Sequence, residues 1–524
     1  MFFVLVCSYN IVLTTREAWN RMYLGYDIKN GVKYAKICSS RREGDKVIST
    51  QKSLGRVLDE KKGIFRNRER GIFTYDVNTD TYGKVDPSYV PKISRKDAKE
   101  KLILDFGDSY FLDAFIRKNG LEPSIKALGY GNPDTVRAMV QYYVLCNLAN
   151  CHAGTWWDGN YARILYPDAN LSSQRISDML LYIGDEGVYR DFFKEYTKLL
   201  AKKDEGTNIL IDSTGLPNSI HFPLTAISNH NGKISNEMRL IFVLQQETEL
   251  PLFMRYCPGN VIDITTLTKT ILELKANGIN TKFAILDAGY LSKENIEELY
   301  ENGISFLSRL KSNNLIYKNA LKEHLPTLEA KENLVTYNSR YAYIKRIDCE
   351  IGKSHKAYVY LCRDLAMKVI ENSKLFDKAE KAKMKTNQVF DAMAEHGIFM
   401  LVASRPIDKE KVLGTYYTRQ QIEQVFDICK NYTNMLPLRV QSEETLRGHL
   451  MLSFIAAVIV KMLQKQIKGT SYSPIDVFTN LRNHKCKVFD DYLLTQESAK
   501  KTNDIYKLMD LKVPHQISLS KEVV

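Results

Sequence analysis

At 524 residues the chain is too long for a single hydrophobic core, so two to four domains are expected. Hydrophobic residues at 44% and charged residues at 26% are the profile of an ordinary soluble globular protein, which excludes a chain built from low-complexity sequence. Lysine and arginine number 74 against 61 acidic residues, and the formal charge of +13 suits a polyanionic partner, or simply a basic solvated surface.

The opening stretch Met1–Leu13 is mostly apolar, without the basic lead and small-residue cleavage site of a signal peptide. A start at Met22 or a buried strand accounts for it better. Short β-prone runs follow at Val32–Cys38, Val47–Ile48 and Gly71–Val77, a β-rich leader over residues 1–90. From Arg95 to about Lys203 the apolar spacing becomes three and four, as in Asp113–Lys118, Pro133–Ala149 and Ser172–Ile183, with Ser172 or Ser173 as N-cap. Residues 91–206 therefore read as a helical region, able in principle to bind DNA. Trp156 and Trp157 there read as core. The nine cysteines show no paired spacing, and Cys146, Cys151 and His152 lack a second pair nearby. Disulfides are not expected, and a reducing cytoplasm fits.

From 207 to 310 the pattern changes to α/β. Strands are predicted at Asn208–Asp212, Arg239–Gln245, Leu250–Tyr256, Phe283–Asp287 and Ile304–Leu310, with helices at Ile264–Ala276 and Lys293–Glu301. Three strands followed by alternating helix and strand is the order of a ribonuclease H-like sheet. Residues 311–395 interrupt it as a mainly β insertion, with runs at Tyr337–Ile347 and Ala357–Cys362 and a charged helix from Leu365 to about Ala394. The core resumes over 396–470 with strand Gly397–Ser404, one long helix from about Leu413 to Asn431, and an apolar helix Glu444–Lys468. The apolar run Leu450–Leu463 is about one third too short to span a bilayer, so no membrane segment is expected. Residues 471–524 read as a polar, undiagnostic tail.

Two aspartates close apolar strands, Asp212 in Ile209-Leu210-Ile211-Asp212 and Asp287 in Phe283-Ala284-Ile285-Leu286-Asp287. A carboxylate at such a place is costly unless a cation or hydrogen-bond donor meets it. The glycines just behind, Gly215 and Gly289, would let the chain turn away and leave room for a ligand. Oxygen ligands of this kind select Mg²⁺ or Mn²⁺. Either aspartate alone could equally cap the next element. On a continuous helix Tyr416, Arg419, Glu423 and Lys430 fall within roughly a 60° arc, while Ile422, Val425 and Cys429 face a core. Alone, that stripe could be a solvent-facing helix with charge contacts along it.

Together these residues resemble a known family. Tyr416, Arg419, Glu423 and Lys430 reproduce the Tyr-x2-Arg-x3-Glu-x6-Lys signature of the DDE transposases of bacterial insertion sequences, in the branch with a β-rich insertion before the glutamate. Pro258-Gly259-Asn260 with Asp263, Pro437, Arg439, Arg447-Gly448-His449 and Leu54-Gly55-Arg56 are further, weaker similarities. The resemblance implies that Asp212, Asp287 and Glu423 hold two divalent ions, Mg²⁺ or Mn²⁺ in its place, while Arg419, Lys430 and Tyr416 contact DNA. It implies cleavage of terminal inverted repeats and joining of the freed 3′ hydroxyl to target DNA, by a dimer assembled on double-stranded DNA at the bacterial nucleoid. The family's stacking tryptophan is missing from 311–395, where Tyr337, Tyr341, Tyr343, Tyr358 and Tyr360 offer other rings. No nucleotide cofactor is expected, since no GxxxxGK[ST] loop occurs. The alternative is a catalytically inactive DNA-binding relative that regulates transposition.

Overall fold

The computed structural model describes residues 21–519, apart from 30–31, 44–45, 68, 87–88, 90–101, 201–205, 219–224, 231–232, 262, 383, 434, 439 and 441. Met1–Leu13 and Arg439 thus lie outside the described residues. The chain divides into two compact units, Met1–Lys99 and Glu100–Val524.

In the first unit β1 (Arg21–Lys29), β2 (Val32–Glu43), β3 (Lys46–Asp59), β4 (Ile64–Asn67), β5 (Gly71–Asp76) and β6 (Thr81–Gly83) form one antiparallel meander in sequence order. Ala35, Ile37, Leu54, Phe65, Phe73 and Tyr75 make its core. The first eight residues of β3 are exposed, which is why apolar patterning found only Val47–Ile48 of a 14-residue strand. A register shift opposite Ala35 leaves Leu54 buried and unpaired, and Gly55 follows at φ 96, where a Cβ would strike the carbonyl of Arg66.

The second unit opens with β7 (Leu102–Asp105) and the helices α1 (Gly107–Lys118), α2 (Glu122–Lys126), α3 (Pro133–Leu145), α4 (Ala153–Asp158), α5 (Ala162–Leu165), α6 (Ser173–Ile183) and α7 (Glu186–Leu200). Trp156 and Trp157 are partly buried against the main core.

A large mixed sheet follows, built from β8 (Thr207–Pro217), β9 (Ala226–His230), β10 (Lys233–Gln245), β11 (Pro251–Pro258), α8 (Leu267–Ala276), β12 (Thr281–Leu286), α9 (Lys293–Glu301) and β13 (Ser305–Leu310). After α10 (Leu315–His324) come β14 (Leu334–Tyr337), β15 (Arg340–Ile351), β16 (His355–Asp364), α11 (Leu365–Ala382), α12 (Thr386–Ala394) and β17 (Ile398–Ala403). The spatial order is β11-β10-β8-β12-β13-β17-β16-β15-β14, with β9 on β10. β8, β12 and β13 are mutually parallel, and every other pairing is antiparallel. The fold is thus mixed α/β. Within 311–395, β14, β15 and β16 extend this sheet, because β16 pairs with β17, and three helices share that stretch.

The expected single helix Leu413–Asn431 is a correction. It is broken into α13 (Lys409–Tyr417), α14 (Gln420–Asp427) and a π turn, Ile428–Tyr432. The tail is a second one. α16 (Pro474–Arg482), β18 (Lys485–Val488), β19 (Tyr492–Thr495), α17 (Lys500–Leu508) and β20 (Gln516–Ser518) are ordered, and a four-stranded sheet β20-β19-β18-β7 ties them to the start of the unit. Arg482 seals that junction through Asp108, wholly buried and also bonded to Asn160.

α15 (Glu443–Gln466) runs through the core, buried almost continuously from Leu446 to Leu463. At 24 residues it is long and apolar enough to cross a membrane, yet its apolar surface is covered by protein. It crosses α6 where Gly448 meets the Leu180 carbonyl and Gly184 meets that of Glu444; a Cβ at either glycine would collide with backbone. His449, beside Gly448, joins the Tyr143 hydroxyl (2.6 Å) to the Met435 carbonyl (3.0 Å). Phe454 of α15 and Phe426 of α14 both pack on Phe242 of β10. α8 lies on the opposite face, since Arg255, one residue past the Met254 that pairs with Phe242, reaches Glu273 of α8.

Candidate functional site

β8 and β12 are buried parallel neighbours paired Ile285 to Leu210 and Leu286 to Ile211, so the next step along both strands brings Asp212 beside Asp287. β12 stops at Leu286, whereas β8 runs on to Pro217 with Asp212 opposite Phe242. Asp212 therefore lies within its strand instead of closing it, and Gly215 is a strand residue opposite Arg239, not a turn. Neither aspartate serves as a helix cap. Asp287 precedes a short 3-10 turn, Ala288–Tyr290, without a side-chain cap bond, and among the described residues Asp212 accepts from the backbone the adjacent Ser213 N–H (2.9 Å).

What meets both carboxylates is a guanidinium. Arg419 Nη2 lies 2.6 Å from Asp212 Oδ2, and Nη1 lies 2.9 Å from Asp287 Oδ1. The Tyr416 hydroxyl accepts from Nη1 at 3.3 Å. Arg419 Nε is buried without a partner among the described residues. Arg419 and Asp212 side chains are 16% and 14% exposed and Asp287 is 37% exposed, so Asp287 forms the open side of the site. Burial pushes the Asp212 carboxyl up, with Arg419 and the Ser213 N–H opposing it. Burial pulls Arg419 down, but the two carboxylates outweigh it and hold its pKa up. Tyr416, raised by burial, is 5% exposed and packs in the core.

Arg419 sits between α13 and α14, where the backbone stays right-handed helical, and Tyr416, Arg419 and Lys430 still face β8 and its partner carboxylate. Glu423, one turn on, is exposed and makes no ion pair or side-chain hydrogen bond among the described residues. Lys430, on the π turn, reaches the Thr214 hydroxyl at 2.5 Å. Its pKa is lowered by burial, with Glu237 partly compensating. The structure thus brings Asp212, Asp287, Arg419 and Tyr416 together, places Lys430 two residues along β8, and leaves Glu423 exposed. Among the described residues no three His, Cys, Asp or Glu side chains stand close enough to hold a metal ion. The donor chemistry still fits a hard cation in part: two carboxylates converge on one positive group, which the guanidinium supplies.

Sequence reasoning passed over Thr214, Glu237 and Lys461. Lys461, 2% exposed on α15, donates to the side-chain oxygens of Gln421 (2.7 Å) and Gln424 (2.8 Å), which bracket Glu423 on α14. Burial lowers its pKa to about 8. A single lysine within the apolar run 450–463 was the available signal. Of the five tyrosines offered for base stacking, Tyr341 is exposed, Tyr343 is half-buried, Tyr337 stacks on Tyr417, and Tyr358 and Tyr360 are buried.

Residues 204–459 match the family model described as the transposase DDE domain. Over 280 residues the chain is 23% identical to the transposase for insertion sequence element IS231F of Bacillus thuringiensis subsp. israelensis, covering 48% of this chain. The chain spans 57% of that relative's length. Among solved structures, the cryo-EM structure of the piggyBac transposase synaptic complex with hairpin DNA aligns with 67% of this chain and 70% of that one, at 13% identity and a TM-score of 0.38. The chain resembles the DDE-type transposases of bacterial insertion sequences.

Proposed function

We propose that this relative of the DDE-type insertion-sequence transposases is itself a DNA transposase, cleaving the terminal inverted repeats of an element and joining their 3′ hydroxyls to target DNA. The observation that carries the reading is the placement of Asp212 and Asp287 on adjacent parallel strands, converging on one cationic group beside the signature segment. The order β11-β10-β8-β12-β13, with β12 and β13 parallel to β8, supports a ribonuclease H-like core under that pair.

Asp212 and Asp287 would hold the divalent ions, Mg²⁺ or Mn²⁺, and Glu423 would complete the set once the α14 turn closes over the strand ends. Two such ions would supply an activated water or hydroxyl and stabilise charge on the leaving oxygen. This chain's own side chains do the positioning. Arg419 and Lys430 present cations to the phosphates of the DNA end, and Tyr416 braces Arg419 from behind. Lys461 fixes the rotation of α14 through Gln421 and Gln424. The net charge of +13 favours double-stranded DNA as partner. Two ends require two such sites, so the working unit is a dimer on DNA, acting at the nucleoid in the bacterial cytoplasm. The proposed parts are the leader, 1–90; a helical region, 91–206; the core, 207–310 and 396–470; the insertion, 311–395; and the tail, 471–524.

The exposed position of Glu423 and the neutralised aspartates favour a second reading, a catalytically inactive DNA-binding relative that regulates transposition. Incubating the purified chain and Mg²⁺ with labelled duplexes carrying the repeats that flank its gene separates the two. Nicking and joining support the transposase, whereas binding without strand cleavage supports the regulator.

A further inference from the structure

We propose that Arg419 is a latch on the carboxylate pair: its guanidinium occupies Asp212 and Asp287, and a DNA phosphodiester draws it away, so that DNA binding and divalent-cation binding promote each other. The inference rests on the transposase reading, because it takes the aspartates as cation ligands and Arg419 as a DNA contact.

The geometry supplies three reasons. First, the guanidinium engages one oxygen of each carboxylate, at 2.6 and 2.9 Å, so a dication can take those oxygens only by displacing or repelling it. Second, Arg419 is incompletely satisfied where it stands, since Nε is buried without a partner among the described residues. A phosphodiester can accept the fork from two donors at once, which gives the side chain a competing place to go. Third, Arg419 lies in the break between α13 and α14, so its swing need not unwind either helix. Glu423 follows one turn later on α14, and releasing Arg419 frees the segment that carries it to move toward the strand ends.

Linkage makes the coupling reciprocal: whatever DNA does to cation affinity, the cation must do to DNA affinity. A purely structural ion pair, pinning α14 to the sheet, predicts neither effect.

The test is Mn²⁺ binding by the full chain, followed through the electron paramagnetic resonance signal of free Mn²⁺, with and without a mixed-sequence linear duplex. Uptake by the duplex itself is subtracted with Asp212→Asn/Asp287→Asn protein at the same DNA concentration. Without DNA, Arg419→Gln should bind Mn²⁺ roughly tenfold more tightly than the parent, a coupling of ordinary size. Adding DNA should raise the parent's affinity toward that level and leave the variant nearly unchanged. Arg419→Gln/Asp287→Asn should lose the gain, which locates it at the pair. Should Arg419→Gln fail to fold, the parent's response to DNA and that of Arg419→Lys, which keeps the charge without the fork, decide the matter. Equal Mn²⁺ affinity of the parent with and without DNA overturns the latch. Failure of the transposase reading is a separate result, the absence of strand cleavage by the parent.

Discussion

The ammonium of Lys430 lies 2.5 Å from the hydroxyl of Thr214, so a π turn near the end of the signature segment is tied to β8 two residues past Asp212. That contact places a half-buried cation next to the carboxylate pair, and burial already lowers its pKa. A phosphate would relieve that cost. Lys430→Ala should weaken binding of end DNA and lower the slope of log affinity against log salt by about one phosphate contact. Fluorescence anisotropy across a salt series measures both, and an unchanged slope removes Lys430 from the DNA interface.

Lys461 provides a stability test whose sign is fixed. Its folded pKa, about 8, is below the ordinary lysine value, so between pH 8 and the ordinary value the unfolded chain binds more protons than the folded one. Stability contributed at this position therefore rises as pH rises above 8. The melting temperature of Lys461→Met minus that of the parent should be most positive near pH 7 and shrink by pH 10. A difference constant across that range, measured by calorimetry, contradicts a burdened ammonium at this position.

The crossing of α6 and α15 depends on a missing side chain. Gly448→Ala puts a Cβ against the Leu180 carbonyl, and overpacking of that kind costs about 1–3 kcal/mol. Denaturant melts should show the loss, while an exposed control such as Gln496→Ala stays near the parent. A neutral Gly448→Ala would mean the two helices separate freely.

Much of the site was legible because it rests on local pattern. The apolar runs ending in Asp212 and Asp287 announced two buried strands, and adjacency of those strands sufficed to pair the carboxylates. Ile422, Val425 and Cys429 are buried as their spacing required. The breaks at Thr418 and Ile428 were not legible, since residues 413–431 contain one glycine at most near their start and no proline to mark them. Nor was the partnership of Arg419 with Asp212, which joins residues 207 apart and depends on how α14 meets the sheet. The tail strands β18 and β19 are only four residues long, and the pairing of β18 with β7 spans most of the unit, so no local signal carried them.

The assembly on DNA is a further expectation. Two ends brought together need two carboxylate sites, so light scattering at saturating end DNA should give a mass of two chains with two duplexes. One chain holding two duplexes would contradict that stoichiometry.

The central claim is that Asp212, Asp287 and Glu423 act together on DNA. It is tested most directly by Mg²⁺-dependent nicking of a labelled transposon end by the alanine variants of each, with folding checked by circular dichroism. Asp263→Ala, at the start of a 3-10 turn, and Glu444→Ala, in the first turn of α15, serve as nearby controls. The account predicts that each of the three variants loses nicking and joining by orders of magnitude while retaining end binding, and that both controls cleave. Near-normal nicking by a folded Glu423→Ala protein would contradict it.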